Sequence, residues 1–282
     1  MEAIPIKSPA VRYHGSKFRL APWVISHFPE HDYYIEPFGG AAGVLLQKPR
    51  CHGEVYNDLD GDIVNFFEVV RDPILSKKLE RACRLTPFSR AEFKAAYHPT
   101  DDPLEKARKL IVRATMGFGS GGATMGHTGF RNDVRRLRKT SVDVWVGYPD
   151  NIAAIGERFT GVLIENKPAV DVIKKQDHED ALIYVDPPYV LDTRAMGGRS
   201  RTYKHELTNS DHEELLQVLL ECKGMVVLSG YPHPIYDELL KDWEMVSTSS
   251  RISSGRGTVK RTECLWLSPS VTEKVSQMPL DI

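Results

Sequence analysis

The chain has 282 residues, 41% of them hydrophobic and 27% charged, and a formal net charge of −1. That length suits one large α/β domain or one domain carrying an insertion, and the near-neutral charge excludes a globally basic nucleic-acid binder, so contact with a polyanion has to rest on a local patch. No run approaches the ~18 apolar residues of a membrane helix, and the start, MEAIPIKSPAVRYHGSK, lacks a signal peptide's apolar core. The four cysteines, Cys51, Cys83, Cys222 and Cys264, are scattered with no CxxC pair, so the chain reads as a cytoplasmic protein with reduced thiols and no metal site.

In chain order, Ser16 is placed to cap a helix over Lys17 to Phe28, with apolar residues at Leu20, Trp23, Val24 and Phe28. YYIE (33–36) reads as a strand that runs into PFGGAAG, followed by a helix over Gly43 to Gln47. EVYN (54–57) reads as a second strand closed by Asp58, and Ile63 to Val70 as a helix. Residues 33–70 thus form β-turn-α-β-α, the opening of a nucleotide-binding parallel sheet. Residues 73–117 are mainly helical, with segments at Pro73 to Cys83, Arg90 to Tyr97 and Pro103 to Met116. From about Asn151 the alternation resumes: a helix near 150–159, strand GVLIE (161–165), a helix near 168–174 and strand LIYV (182–185). Thr208 then caps a helix over Asp211 to Glu221, MVVLSG (225–230) is a strand, and Ile235 to Leu240 a helix. EMVSTSSRI (244–252) and TECLWLS (262–268) make a final hairpin around GRG. The expected fold is a Rossmann-like α/β sheet, residues 1–71 and 149–282, interrupted by a mainly helical insertion at 72–148.

Three stretches carry chemistry. The turn after the first strand holds Gly39, Gly40 and Gly43, and an acid, Asp58, ends the second strand. Glycines there let backbone approach a ligand, and such an acid holds ribose hydroxyls. GxGxxG is not met, and Glu36 puts negative charge where a pyrophosphate would sit. That argues against NAD and fits a cofactor carrying an ammonium or sulfonium. The second stretch, RNDVRRLRK (131–139), sets Arg131, Arg135, Arg136, Arg138 and Lys139 against Asp133, directly after six glycines between Met116 and Phe130. It reads either as a solvated face beside a flexible loop or as a surface that hugs a DNA backbone, since arginine pairs with phosphates bidentately. Third, LIYV runs into Asp186-Pro187-Pro188-Tyr189: a strand-ending turn, or a reaction site at the carboxyl end of a parallel strand.

Together these motifs resemble the Dam-type N6-adenine DNA methyltransferases, over nearly the whole chain. RYHGSK (12–17) is similar to the family's N-terminal motif, EPFGGAAG (36–43) to its cofactor motif, YNDLD (56–60) to its acidic motif and YVDPPY (184–189) to its catalytic motif. IEN (164–166) sits where the cofactor's adenine is usually contacted, and LSGY (228–231) resembles the strand after DPPY. His14 and Ser16 stand where small residues or glycine are common, and Ala42 replaces the second glycine of FxGxG, which hints at a phage- or prophage-like branch.

The resemblance implies S-adenosylmethionine as cofactor, double-stranded DNA as partner and 72–148 as the target-recognition domain. It assigns the cofactor to Tyr13, Lys17, Glu36, Pro37, Phe38, Gly40, Asp58, Asn166 and Asp186, and catalysis to Asp186, Pro187 and Tyr189. Adenine N6 is a poor nucleophile because its lone pair is delocalised. The Asp186 carboxylate and the Pro187 carbonyl would grip its two hydrogens, a preorganised electrostatic effect. Tyr189 has a face on which a flipped base can stack, or else it is a buried aromatic below the sheet. Basic residues at Arg194, Arg199, Arg201 and Lys204, and at Arg251, Arg256, Lys260 and Arg261, lie in a loop that DNA orders or in plain solvated connections. Cytosine N4 or RNA adenine as acceptor, or a catalytically silent DNA-binding relative, are the alternatives. Neither the recognition site nor a partner endonuclease of a restriction-modification pair is legible, and a monomer is the default.

Overall fold

The computed structural model describes residues 6, 8–124, 126–132, 140–193, 203–254 and 257–276, with the backbone alone described for 250–254 and 257–261. Seven strands form one sheet in the order β3-β2-β1-β4-β5-β7-β6. The parallel strands are β1 (Tyr33–Glu36), β2 (Gly53–Asn57), β3 (Val162–Glu165), β4 (Ala181–Val185) and β5 (Met225–Gly230). The hairpin β6 (Glu244–Ser254) and β7 (Gly257–Leu267) adds an antiparallel edge, with β7 against β5.

The central strands β4 (ALIYV) and β5 (MVVLSG) are buried along their whole length and accordingly lack a polar alternation. Successive residues still alternate between two cores. Tyr34, Leu182 and Tyr184 join one apolar cluster, while Ile35, Ile183 and Val185 join the other. The first cluster lies under α2 (Gly61–Arg71), α5 (Pro103–Met116) and α7 (Ile152–Phe159), where Phe67 and Phe159 stack at 4.1 Å. The second lies under α8 (Ala169–Gln176), α9 (Asn209–Leu220) and α10 (Pro234–Leu239). Residues 72–148 contribute Leu79 and Cys83 from α3 (Pro73–Leu85), Phe93 from α4 (Arg90–Ala95), Leu110 from α5 and Trp145 from α6 (Ser141–Gly147), all to the first cluster. Among the described residues, no helix is long and apolar enough to cross a membrane, and the four cysteines are free thiols.

Two expectations are corrected. The first helix is α1 (Ala21–Ile25), not Lys17 to Phe28, and Ser16 does not cap it: its hydroxyl is buried without a hydrogen bond. Pro22 explains the late start. Within a helix begun at Lys17 its ring would clash with the preceding turn and lack an N–H, whereas in the first turn neither matters. Residues 43–47 are hydrogen-bonded turns rather than a helix, with the Leu46 amide donating to the Ala42 carbonyl at 3.0 Å. The loop entering them is left-handed at two residues, Gly40 (φ +47°) and Ala42 (φ +52°). Ala42 therefore adopts a glycine's conformation, at a cost of about 1–2 kcal/mol.

Candidate active site

In a doubly wound sheet, ligands bind beyond the carboxyl ends of the strands where the strand order reverses. Here that point lies between β1 and β4, whose ends deliver Glu36 and Asp186. A cavity of about 420 Å³ sits there, within the range of small-molecule sites. Tyr13, Lys17, Glu36, Phe38, Asp58 and Asp186 all line it.

The loops around the cavity are tied to one another by the residues that form them. The Gly40 amide donates to Asp58 Oδ2 and the Asp60 amide to Asp58 Oδ1, each at 2.8 Å. Tyr56 donates its hydroxyl to the Gly40 carbonyl at 2.7 Å, and the Asn57 amide donates to the carbonyls of Pro37 and Lys167 at 2.8 and 3.0 Å. The turns after β1, β2 and β3 thus form one rim. Burial pushes the Asp58 carboxyl up to about 6, although both backbone donors pull it down. Gly43 makes a close crossing: a Cβ there would sit 2.7 Å from the Phe18 amide nitrogen, next to Lys17. Gly43→Ala is expected to lower unfolding free energy by about 1–3 kcal/mol through this overpacking. Gly147→Ala, which would meet nothing within 4 Å, is expected to be near neutral. Thermal denaturation of the two variants checks this.

Glu36 is buried, and one of its oxygens, Oε2, accepts from the Tyr34 hydroxyl at 2.7 Å and the Leu45 amide at 3.1 Å. Desolvation raises its carboxyl to about 8, with the nearby Asp186 adding to the rise. Asp186 is itself raised by burial, and the adjacent Lys17 ammonium holds it down in part. Lys17 Nζ lies 2.9 Å from Asp186 Oδ2 and 2.8 Å from Oδ1, and donates to the Gly15 carbonyl at 3.1 Å. The same ammonium stands 4.6 Å from the centre of the Tyr189 ring. Lys17 pairs with Asp186, while Glu36 is raised further by the nearby Asp186, so a ligand bearing a positive centre would favour the ionised form of Glu36. That matches a sulfonium or ammonium cofactor and not a pyrophosphate.

The turn after β4 projects three acceptors and a ring. Pro187 is buried, and among the described residues no donor meets its carbonyl. The Tyr189 hydroxyl lies 2.8 Å from Ser229 Oγ and donates to Glu263 Oε2 at 3.0 Å. Residues 203–207 then fold back over the cavity. Lys204 pairs with Asp60 at 2.8 Å and Asp62 at 2.7 Å, and the Tyr203 hydroxyl packs against Gly15.

Not every expected residue gathers here. Asn166, Pro187 and Tyr189 do not line the cavity; the Asn166 amide donates to the Asp58 carbonyl at 2.7 Å and so steadies the rim, and Tyr189 stands behind Lys17. Arg131 donates to the carbonyls of Gly117 and Gly119 and lies over the Phe118 ring, which makes it a clasp on the glycine-rich loop. Arg135, Arg136, Arg138 and Lys139 lie outside the described residues, as do Arg194, Arg199, Arg201 and Arg256. Sequence reading missed Asp60, Ser229, Tyr203 and Glu263. Asp60 was within reach, as the last acid of YNDLD, and Ser229 as a member of LSGY; Tyr203 and Glu263 sit in stretches with no motif spacing. Among the described residues, no three His, Cys, Asp or Glu side chains are grouped to hold a metal ion.

Two comparisons with known proteins bear on this site. The crystal structure of precorrin 8w decarboxylase from Methanobacterium thermoautotrophicum aligns over 89% of each chain at 10% identity and a TM-score of 0.34, a likeness too slight to inform fold or function. Residues 13–111 match the family model for D12 class N6 adenine-specific DNA methyltransferases, and this stretch, which holds Tyr13, Lys17, the Glu36 loop and Asp58, supports an adenine-specific DNA methyltransferase enzyme.

Proposed function

We propose that the protein transfers a methyl group from S-adenosylmethionine to N6 of adenine in duplex DNA, in the Dam-type arrangement, with the target base flipped out of the helix. The observation that carries this is the Lys17–Asp186 pair, set at the strand-order switch point between the Glu36 loop and Tyr189. The bound cofactor supplies an electrophilic methyl on a positively charged sulfur. Glu36, its buried carboxyl raised to about 8, lines the cavity where a nearby cation would draw it into the ionised form. Asp58 and the Gly40 loop border the ribose, and Tyr13, Pro37 and Phe38 form apolar walls.

Asp186 and the Pro187 carbonyl each accept one hydrogen of the adenine amine. With both hydrogens held, the nitrogen pyramidalises and directs its lone pair at the methyl group. As positive charge builds on nitrogen, the Asp186 carboxylate stabilises it. Once the methyl has passed over, leaving a neutral thioether, the methylated amine releases one of its hydrogens as a proton to solvent. Burial raises the Asp186 carboxyl, and the Lys17 ammonium opposes that rise and so favours its ionised form. Tyr189 offers a face to the flipped base, for which unstacking costs a few kcal/mol.

Residues 72–148 act as the target-recognition insertion, with Arg135, Arg136, Arg138 and Lys139 on the DNA backbone and Arg131 holding the loop that leads to them. Replacing Arg135, Arg136 and Arg138 together with alanine is expected to weaken DNA binding and to flatten its salt dependence by about 3 in the log–log slope. Fluorescence anisotropy over a salt series measures this, and an unchanged slope removes the patch from the interface. Action on cellular DNA would place the enzyme in the cytoplasm. The reading as a whole is tested by incubating the purified protein with methyl-labelled S-adenosylmethionine and unmethylated plasmid DNA and then identifying the labelled base.

A further inference from the structure

We infer that Glu263, on β7, is a positioning residue for this reaction, holding the Tyr189 ring at the angle that receives the target base. The inference rests on the function proposed above and adds to it a residue from the antiparallel edge of the sheet.

The geometry is specific. The Tyr189 hydroxyl lies 3.0 Å from Glu263 Oε2 and 2.8 Å from Ser229 Oγ, and it also reaches the Asp186 carboxyl, so Glu263 is one of the groups that anchor its far end. A phenol ring has two free side-chain torsions. Two fixed contacts at its hydroxyl end, from adjacent strands β5 and β7, define its tilt. The edge is packed by Tyr231, with centroids 4.5 Å apart at 71°, and one face meets Lys17 Nζ. Such a ring is already ordered when a base arrives, so stacking does not have to meet that ordering cost.

Glu263 is also conspicuous where it stands. It is 6% exposed, directly before Cys264, Leu265 and Trp266, all buried in the sheet. A carboxylate in such a place carries a desolvation cost unless it holds donors. Burial, with Asp186 and Glu263 nearby, raises the Tyr189 phenol well above its usual value, so the ring keeps the hydrogen that Glu263 accepts.

The test uses the full chain with plasmid DNA and labelled S-adenosylmethionine. E263A and Y189F are each expected to lower kcat by about 10-fold, with KM for the cofactor unchanged, on the scale of a small misplacement of a reacting group. The double variant is expected to be no slower than Y189F, because Y189F already removes the hydrogen bond that E263A removes. E263Q keeps an acceptor for the hydroxyl and should recover kcat to within about 3-fold of the wild type, which a purely electrostatic role for the carboxylate would not allow. If E263A does not fold, Y189F and E263Q carry the test alone. Unchanged kcat in Y189F, additive losses, or an E263Q as slow as E263A overturns the inference while leaving the methyltransferase reading intact. A wild-type protein that methylates no adenine overturns both.

Discussion

Asp186→Asn is expected to keep the fold and to lower methyl transfer roughly 10³-fold or more, the scale of losing one preorganised electrostatic partner. Asparagine has nearly the same shape, so the turn after β4 and the packing of buried Pro187 stay in place. Its amide, however, brings a donor to the point where the adenine amine also donates, and it removes the negative charge that meets the developing cation. Asp186→Ala should be as inactive but less stable, because it leaves Lys17, 8% exposed at its side chain, without the carboxylate it pairs with. Circular dichroism and thermal melting separate loss of fold from loss of chemistry. Cofactor binding measured by calorimetry should survive in Asp186→Asn. Transfer within a few-fold of the wild type would remove Asp186 from the mechanism.

Lys17→Met is expected to give the second-largest effect, and its sign depends on pH. Burial raises the Asp186 carboxyl, and Lys17 is the first of the opposing influences. Without the ammonium that carboxyl rises further, with Glu263 still pressing on it. The reaction needs the ionised form, so the acid limb of the rate profile should move to higher pH, and the defect should be greater at pH 6 than at pH 9. Stability runs the other way. A carboxyl whose folded value lies above its unfolded one binds its proton more tightly in the folded state. The stability of Lys17→Met relative to wild type is therefore highest at acid pH. The deficit against the wild type grows as pH climbs from the ordinary aspartate value of 3.8 through the raised one, to about 3 kcal/mol once the lone carboxylate is ionised. A rate profile parallel to the wild type's at every pH would show that Lys17 does not tune Asp186.

The parts of this site that the sequence announced are those in which local chemistry dictates local shape. Apolar runs such as LIYV ended at Asp186-Pro187-Pro188 because proline cannot extend a ladder. The strand ends therefore located Glu36, Asp58 and Asp186 correctly along the chain. Thr208 caps α9 as expected, and Asp211 in return accepts from the Thr208 amide. Other features depended on contacts far apart in sequence. The extent of α1 turned on Pro22, a signal present in the chain but outweighed by the apolar spacing of Leu20, Val24 and Phe28. Ala42 was legible as a substitution for glycine, but its left-handed backbone, next to the close crossing of Gly43 with Phe18, was not. Glu263 gave no sign at all: an acid on a strand reads as solvent-facing until β7 is known to lie beside β5, where it meets Tyr189. Arg131 shows the reverse, since a basic run suggested phosphate contacts and this member instead binds two backbone carbonyls.

The most direct measurement is mass spectrometry of nucleosides from unmethylated plasmid DNA incubated with the purified protein and S-adenosylmethionine, alongside Asp186→Asn. The account predicts N6-methyladenine with the wild type and none above background with the variant. N4-methylcytosine in its place, N6-methyladenine at equal levels with the variant, or no methylated base with the wild-type protein would contradict it.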